Sequence, residues 1–144
     1  WLLLVANGNS VLAQISLIGL PCSQSSTDTS NGITRSCDKA IDGDGSGLDA
    51  NEKCASTNEE NPPWWKVTFP SPATIDKVKV YNRGDPLGPG GSARESFGFH
   101  VYVDGQICAS RQTNSGQMKE MPCEKTGTEL EIRGMSMQWL LLCE

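Results

Sequence analysis

Residues Asn61 to Asp85 read NPPWWKVTFPSPATIDKVKVYNRGD. Within them Trp65, Val67 and Phe69 fall on one face of an extended chain, with Lys66 and Thr68 on the other. Val78 and Val80 repeat the pattern farther on, against Lys77, Lys79 and Tyr81. A period of two is the mark of strands half-buried in an antiparallel sheet. Two strands are expected here, separated by a turn at Pro70 and Pro72, which cannot donate to a ladder. The second strand runs into Asn82-Arg83-Gly84-Asp85 and then a loop rich in Pro and Gly. A stiff strand thereby delivers an Arg and an Asp to a loop mouth, a common way to build a binding site.

The pattern continues on both sides. Downstream, Phe97, Phe99, Val101 and Val103 alternate with Gly98, His100 and Tyr102, and Asp104-Gly105 then predicts a two-residue hairpin turn into Gln106-Ile107-Cys108. Thr113 to Gly116 reads as another turn, Leu130 and Ile132 as a strand, and Trp139–Cys143 as a final apolar segment. Upstream, Gln14–Ile18 is a short strand candidate, followed by a Ser- and Thr-rich loop between Cys22 and Cys37. Many short strands with frequent turn signals predict a sandwich or jelly roll.

Composition narrows the function. A chain of 144 residues fits one domain, burying roughly 70% of its unfolded surface. The net charge of −5 argues against a nucleic-acid partner, which demands a basic face. No apolar run approaches the length of a membrane-spanning helix. Six cysteines with no CxxC pair point to disulfides in an oxidising compartment, with fifteen pairings open. The first thirteen residues, WLLLVANGNSVLA, fit either the remnant of a leader ending at Ala13 or an ordinary N-terminal arm.

Three features could carry chemistry. The acidic run Asp42-Gly-Asp-Gly-Ser-Gly47 opens like a helix-flanked calcium loop, but its twelfth position is Lys53 and no amphipathic helix flanks it. It is either an irregular oxygen-lined cation loop or a solvated turn. Arg83-Gly84-Asp85 suits an Arg that forks hydrogen bonds to vicinal hydroxyls with an Asp steadying it, an adhesion tripeptide, or a surface ion pair. His100, the lone histidine, sits within a strand pattern opposite the phenylalanines, and no G-x-S-x-G, H-E-x-x-H or phosphate loop occurs, so no enzyme is expected. Trp64 and Trp65 must point to opposite faces, which sends at least one into the core.

Taken in order, Gly19-Leu-Pro-Cys-Ser-Gln-Ser-Ser26, Ala40-Ile-Asp-Gly43, Cys54, Asn61–Val67, Asn82–Asp85, Gly98–Val103 and Leu142-Cys-Glu144 resemble an F-type lectin (fucolectin) domain, a branch of the discoidin-like jelly rolls. The match covers residues 14–144. It implies an all-β, eight-stranded antiparallel jelly-roll sandwich, stapled by Cys54 with Cys143 and Cys108 with Cys123, with Cys22–Cys37 as an addition. It further implies a structural calcium ion held by the carbonyls of Lys39, Asp44, Lys53 and Cys143 and the carboxylates of Asp42 and Glu144. Arg83 and Asp85 match the family's sugar-reading Arg-x-Asp. Ser56 stands where the family has His, Gly90 fills the slot of its second Arg (leaving Arg94 as a substitute), and Pro86-Leu87 replaces its adjacent cysteines. The resemblance thus implies a secreted or luminal, calcium-stabilised module for glycans, fucosylated ones among them, with a partly degenerate sugar site. The alternative is a subunit that kept the fold and calcium but turned to a protein partner in a larger assembly.

Overall fold

The computed structural model describes residues 4–6, 13–44, 53–81, 98–113 and 118–143. Nine strands run through them: β1 (Leu4–Ala6), β2 (Ala13–Ile15), β3 (Cys22–Gln24), β4 (Ala55–Ser56), β5 (Trp64–Tyr81), β6 (Gly98–Val103), β7 (Gln106–Thr113), β8 (Met118–Gly134) and β9 (Leu141–Leu142). All pairings between them are antiparallel. The main sheet has the order β3-β5-β8-β6-β7, and β1-β2 and β4-β9 form two smaller sheets. The only helical turns among the described residues are two short 3-10 turns, Ser30–Gly32 and Cys37–Ala40. The chain is an all-β, antiparallel, disulfide-stapled jelly roll of the discoidin-like kind. β1 lies inside the thirteen-residue arm and pairs across its boundary with β2.

The expected pair of strands around Pro70 and Pro72 is one strand. β5 continues for 18 residues and pairs with β8 from Trp64↔Arg133 to Tyr81↔Met118. The prolines sit in a register shift, where the five-residue step from Thr68 to Ala73 faces the two-residue step from Glu129 to Gly127. Prolines are tolerated there because the interrupted ladder asks no donor of them. A second shift lies between Ile75 and Lys77, opposite Glu124, whose φ is +56°. The buried side of β5 accordingly slips by one, from Trp65, Val67, Phe69 and Ile75 to Val78 and Val80.

The other alternations hold. Phe99, Val101 and Val103 of β6 and Leu130 and Ile132 of β8 meet Trp65 and Val67 in one core cluster. Trp65 is 1% exposed, and its indole N–H donates to the carbonyl of Cys37 at 3.0 Å, which hangs the second 3-10 turn from the sheet. Asp104 and Gly105 turn with φ of +47° and +75°, joining β6 to β7 as the Asp-Gly signal requires. The Asp104 carboxylate also accepts from the amides of Thr128 and Glu129, pinning the hairpin to β8. Gly127 is needed close by, since a Cβ there would stand 2.5 Å from Val103 Cγ1.

Disulfides join Cys22 to Cys37, Cys54 to Cys143 and Cys108 to Cys123, leaving no free cysteine. Of the fifteen pairings open to six cysteines, the structure forms the set implied by the resemblance. Three such bridges mark an oxidising environment. No helix among the described residues is long and apolar enough to cross a membrane.

Two stability outcomes follow. Leu130→Ala, at a fully buried site, should cost about 2–5 kcal/mol in urea unfolding, whereas Ile107→Ala, 51% exposed, should stay within about 0.5 kcal/mol. Replacing Cys54 and Cys143 together by Ser opens a link 89 residues apart in sequence. The loop-entropy treatment sets the loss at about 4–5 kcal/mol, read as a lower denaturation midpoint.

Candidate functional site

The end of β5 is the natural place to look, because Arg83 follows two residues after Tyr81. There Tyr81 forms an antiparallel bridge with Cys143, whose amide donates to the Tyr81 carbonyl at 3.0 Å. Cys143 is bonded in turn to Cys54, next to Lys53 and to β4, and β4 pairs with β9. A small cleft opens at this corner, lined by Ala40, Trp65, Lys79, Tyr81, Leu142 and Cys143 among others. Three segments far apart in sequence thus meet: the acidic run after Ala40, the Lys53–Cys54 segment, and the chain's last strand.

The acidic run is held from beneath. Ile41 is buried and anchors it, while Gly43 turns at φ +85° with Ile18 packed against its Cα, where a side chain would collide. The turn lets the Asp44 amide donate to Asp42 Oδ1 at 2.9 Å. Lys53 Nζ lies 2.8 Å from Asp44 Oδ2. Both side chains are well exposed, so the pair adds little stability, but it draws the second segment to the first. Of the residues expected to hold calcium, Lys39, Asp42 and Asp44 therefore share one stretch, Lys53 is bonded to it, and Cys143 is tied to Lys53's neighbour. Glu144 lies outside the described residues.

Asp42 carries a carboxylate, and carbonyl oxygens would supply four of the expected ligands. Such an all-oxygen donor set suits a hard cation and is wrong for zinc. Among the described residues, no three His, Cys, Asp or Glu side chains gather. A carbonyl-built site does not require them to.

The sugar-reading residues divide. Arg83, Asp85 and Arg94, together with Pro86, Leu87 and Gly90, lie outside the described residues. Ser56 is described, and it is 5% exposed. Its hydroxyl donates to the Thr57 carbonyl at 3.2 Å, and its own carbonyl accepts from the Asp28 amide and from Gln24 Nε2. In its backbone and hydroxyl alike, Ser56 is engaged with its own chain.

The sequence singled out neither Glu120 nor the role of Lys79. Glu120, on β8, binds Lys77 at 3.0 Å and Lys79 at 3.2 Å across the ladder, steadying the strand that leads to Arg83. The signal was Lys77 and Lys79 alternating with Val78 and Val80, but their partner is fixed by register alone. Lys77 first, then Lys79, hold the Glu120 carboxyl below its ordinary value. Its charge therefore contributes stability above the ordinary glutamate range, lost as pH falls through the depressed folded value. Glu120→Gln should unfold at a slightly lower temperature than the parent at neutral pH. That difference should vanish below the depressed pKa in a series of thermal melts.

Comparison with known proteins agrees with this geometry. No curated protein is significantly similar to the chain. Among solved structures, a fucose-binding module of Streptococcus pneumoniae aligns with a TM-score of 0.68 at 24% identity, over 89% of this chain and 90% of its own. The lectin domain of lectinolysin in complex with Lewis b antigen aligns at 0.68 and 27% identity, over 89% and 92%. A serum fucolectin of the striped bass, Morone saxatilis, aligns at 0.71 and 22% identity, over 90% of this chain and 44% of the longer fucolectin. Residues 39–133 match the NedA-like, galactose-binding domain. They contain the acidic run, β4, all of β5 and nearly all of β8, and on that match the chain belongs to the NedA-like, galactose-binding domain family, a family of carbohydrate-binding modules and not of enzymes.

Proposed function

We propose that the chain is a secreted, calcium-stabilised lectin-like module that binds a fucosylated glycan at the loop following β5. One observation carries this reading: the Tyr81–Cys143 bridge joins the strand that leads to Arg83 to the Cys54–Cys143 link beside the acidic run. Family membership supports the carbohydrate class, and the fucose-binding neighbours support the sugar.

In this reading Arg83 forks its N–H groups to vicinal hydroxyls, and Asp85 keeps the guanidinium aligned. Arg94 supplies a second cation. Calcium, held by Lys39, Asp42, Asp44, Lys53, Cys143 and Glu144, would supply fixed positive charge that ties the acidic run to the chain's end. Ser56 brings no imidazole and is already engaged, so affinity rests on Arg83 and its loop.

The burial of Ser56 favours a second reading, in which the fold is kept and the loop meets a protein partner. Glycan-array binding with and without chelator separates the two. The lectin reading expects binding to fucosylated glycans that chelator weakens and that Arg83→Ala reduces by about tenfold to a hundredfold. Silence on every glycan by folded protein overturns it in favour of the second. Calcium is checked separately. Added calcium should raise the melting temperature, with about 2.7 kcal/mol of stabilisation at a hundredfold excess over Kd, and Asp42→Ala should abolish the rise.

A further inference from the structure

The outer face of the main sheet carries an arrangement that the loop end does not use. Register lines up Trp64 on β5, Arg133 on β8 and His100 on β6 in one row across the sheet. The next row holds Lys66, Glu131 and Tyr102 on the same three strands. These side chains point away from the core, since Trp65, Val101 and Ile132 between them point in.

Glu131 is 3% exposed, although it lies on the outer face. Lys66 Nζ reaches one of its oxygens at 3.3 Å, and Arg133 Nε donates to the other. Lys66 also binds Glu129 at 3.0 Å. Each cation lies over a ring in addition: Lys66 Nζ is 5.2 Å from the centroid of Trp64, and the Arg133 guanidinium carbon 4.7 Å from that of Tyr102. His100 meets Tyr102 edge-on, with centroids 6.1 Å apart.

A buried ion pair is a poor device for stability, because desolvation offsets the Coulomb gain and apolar residues serve as well. What this one achieves is fixed orientation of two half-exposed aromatic rings, with donors and acceptors set between them. Two cations against two carboxylates leave the patch without net charge, so it offers nothing to an anion or a polycation. Trp64 and Tyr102 stand two strands and two residues apart, so their backbone positions are about 12 Å from each other. Flat apolar surfaces at that spacing, with fixed polar groups between, match a short chain of sugar rings. Such rings have apolar faces that stack and hydroxyls that both donate and accept.

We propose that this sheet face is a second saccharide site, taking a short, uncharged oligosaccharide with one ring on Trp64 and another on Tyr102. Arg133 and Lys66, held in place by the enclosed Glu131, meet the hydroxyls between. It operates independently of Arg83, so one domain can hold a glycan at its loop end and another along its sheet.

Titration of isotope-labelled protein with maltotriose, cellotriose, xylotriose and mannotriose, followed by NMR, tests this. At least one trisaccharide should move the Trp64, His100 and Tyr102 ring signals saturably, both in the parent and in Arg83→Ala. Tyr102→Ala, and separately Trp64→Ala, should weaken that binding about tenfold. Fucose itself should leave those rings unmoved, which keeps the outcome separate from that of the loop end. The proposal is overturned if no trisaccharide shifts the three rings, if shifts fall elsewhere, or if a folded Tyr102→Ala binds as tightly as the parent. It is likewise overturned if the face responds solely to a protein partner.

Discussion

The antiparallel ladder between β5 and β8 is the constraint on which the rest depends. It pairs an 18-residue strand with a 17-residue strand along nearly their whole lengths. A straight ladder of that length could not serve two sides of a sandwich, because strict alternation would keep one face inward throughout. The two register shifts solve this by re-aiming side chains partway, so that Trp65 and Val67 at one end and Val78 and Val80 at the other are all buried. Everything else hangs from this ladder: β3 on the free edge of β5, β6 and β7 beyond β8, and Cys143 at the end of β5.

The disulfides complement that ladder and touch it only at Cys123 of β8. β3 and β7 are the two edges of the main sheet, and each carries a half-cystine, Cys22 and Cys108. Edge strands lack a partner on one side and are the easiest to peel away, so a covalent tie there holds what the ladder holds least. The third bridge does the same for the two-stranded sheet of β4 and β9. The candidate site is built on that bridge. Loops at the end of a stapled sheet can vary in sequence without loosening the core, which makes such an end a natural place for a binding site.

The ion pairs differ in kind. Lys53 with Asp44 is exposed and serves mainly to bring two loops together, whereas Glu131 is enclosed by its partners on the sheet. Arg35 with Asp28, also enclosed, braces the loop whose carbonyl accepts the Ser56 amide. Among the described residues, Arg35, Lys53, Lys66, Lys77, Lys79 and Arg133 each lie against a carboxylate.

What the sequence determined by itself was local. Alternation in Trp65–Phe69 and Phe99–Val103 was readable because side-chain direction in a strand depends on position parity alone. The Asp104-Gly105 turn was readable because positive φ at both residues restricts the choice of residue. Family resemblance then supplied the disulfide set, which bare spacing left open. The tertiary structure decided what depends on partners distant in the chain. Pro70 and Pro72 looked like a turn, yet they interrupt a ladder that continues, because β8 spans the gap. Ser56 stood in the slot of the family's sugar-reading His, yet it is buried in a strand paired with Leu141 of β9. Glu131 carried no signal in the sequence, and register brought Lys66 across from β5 to close over it beside Arg133 of its own strand. In each case the deciding contact joins residues tens of positions apart, and only the packed sheet brings them within reach.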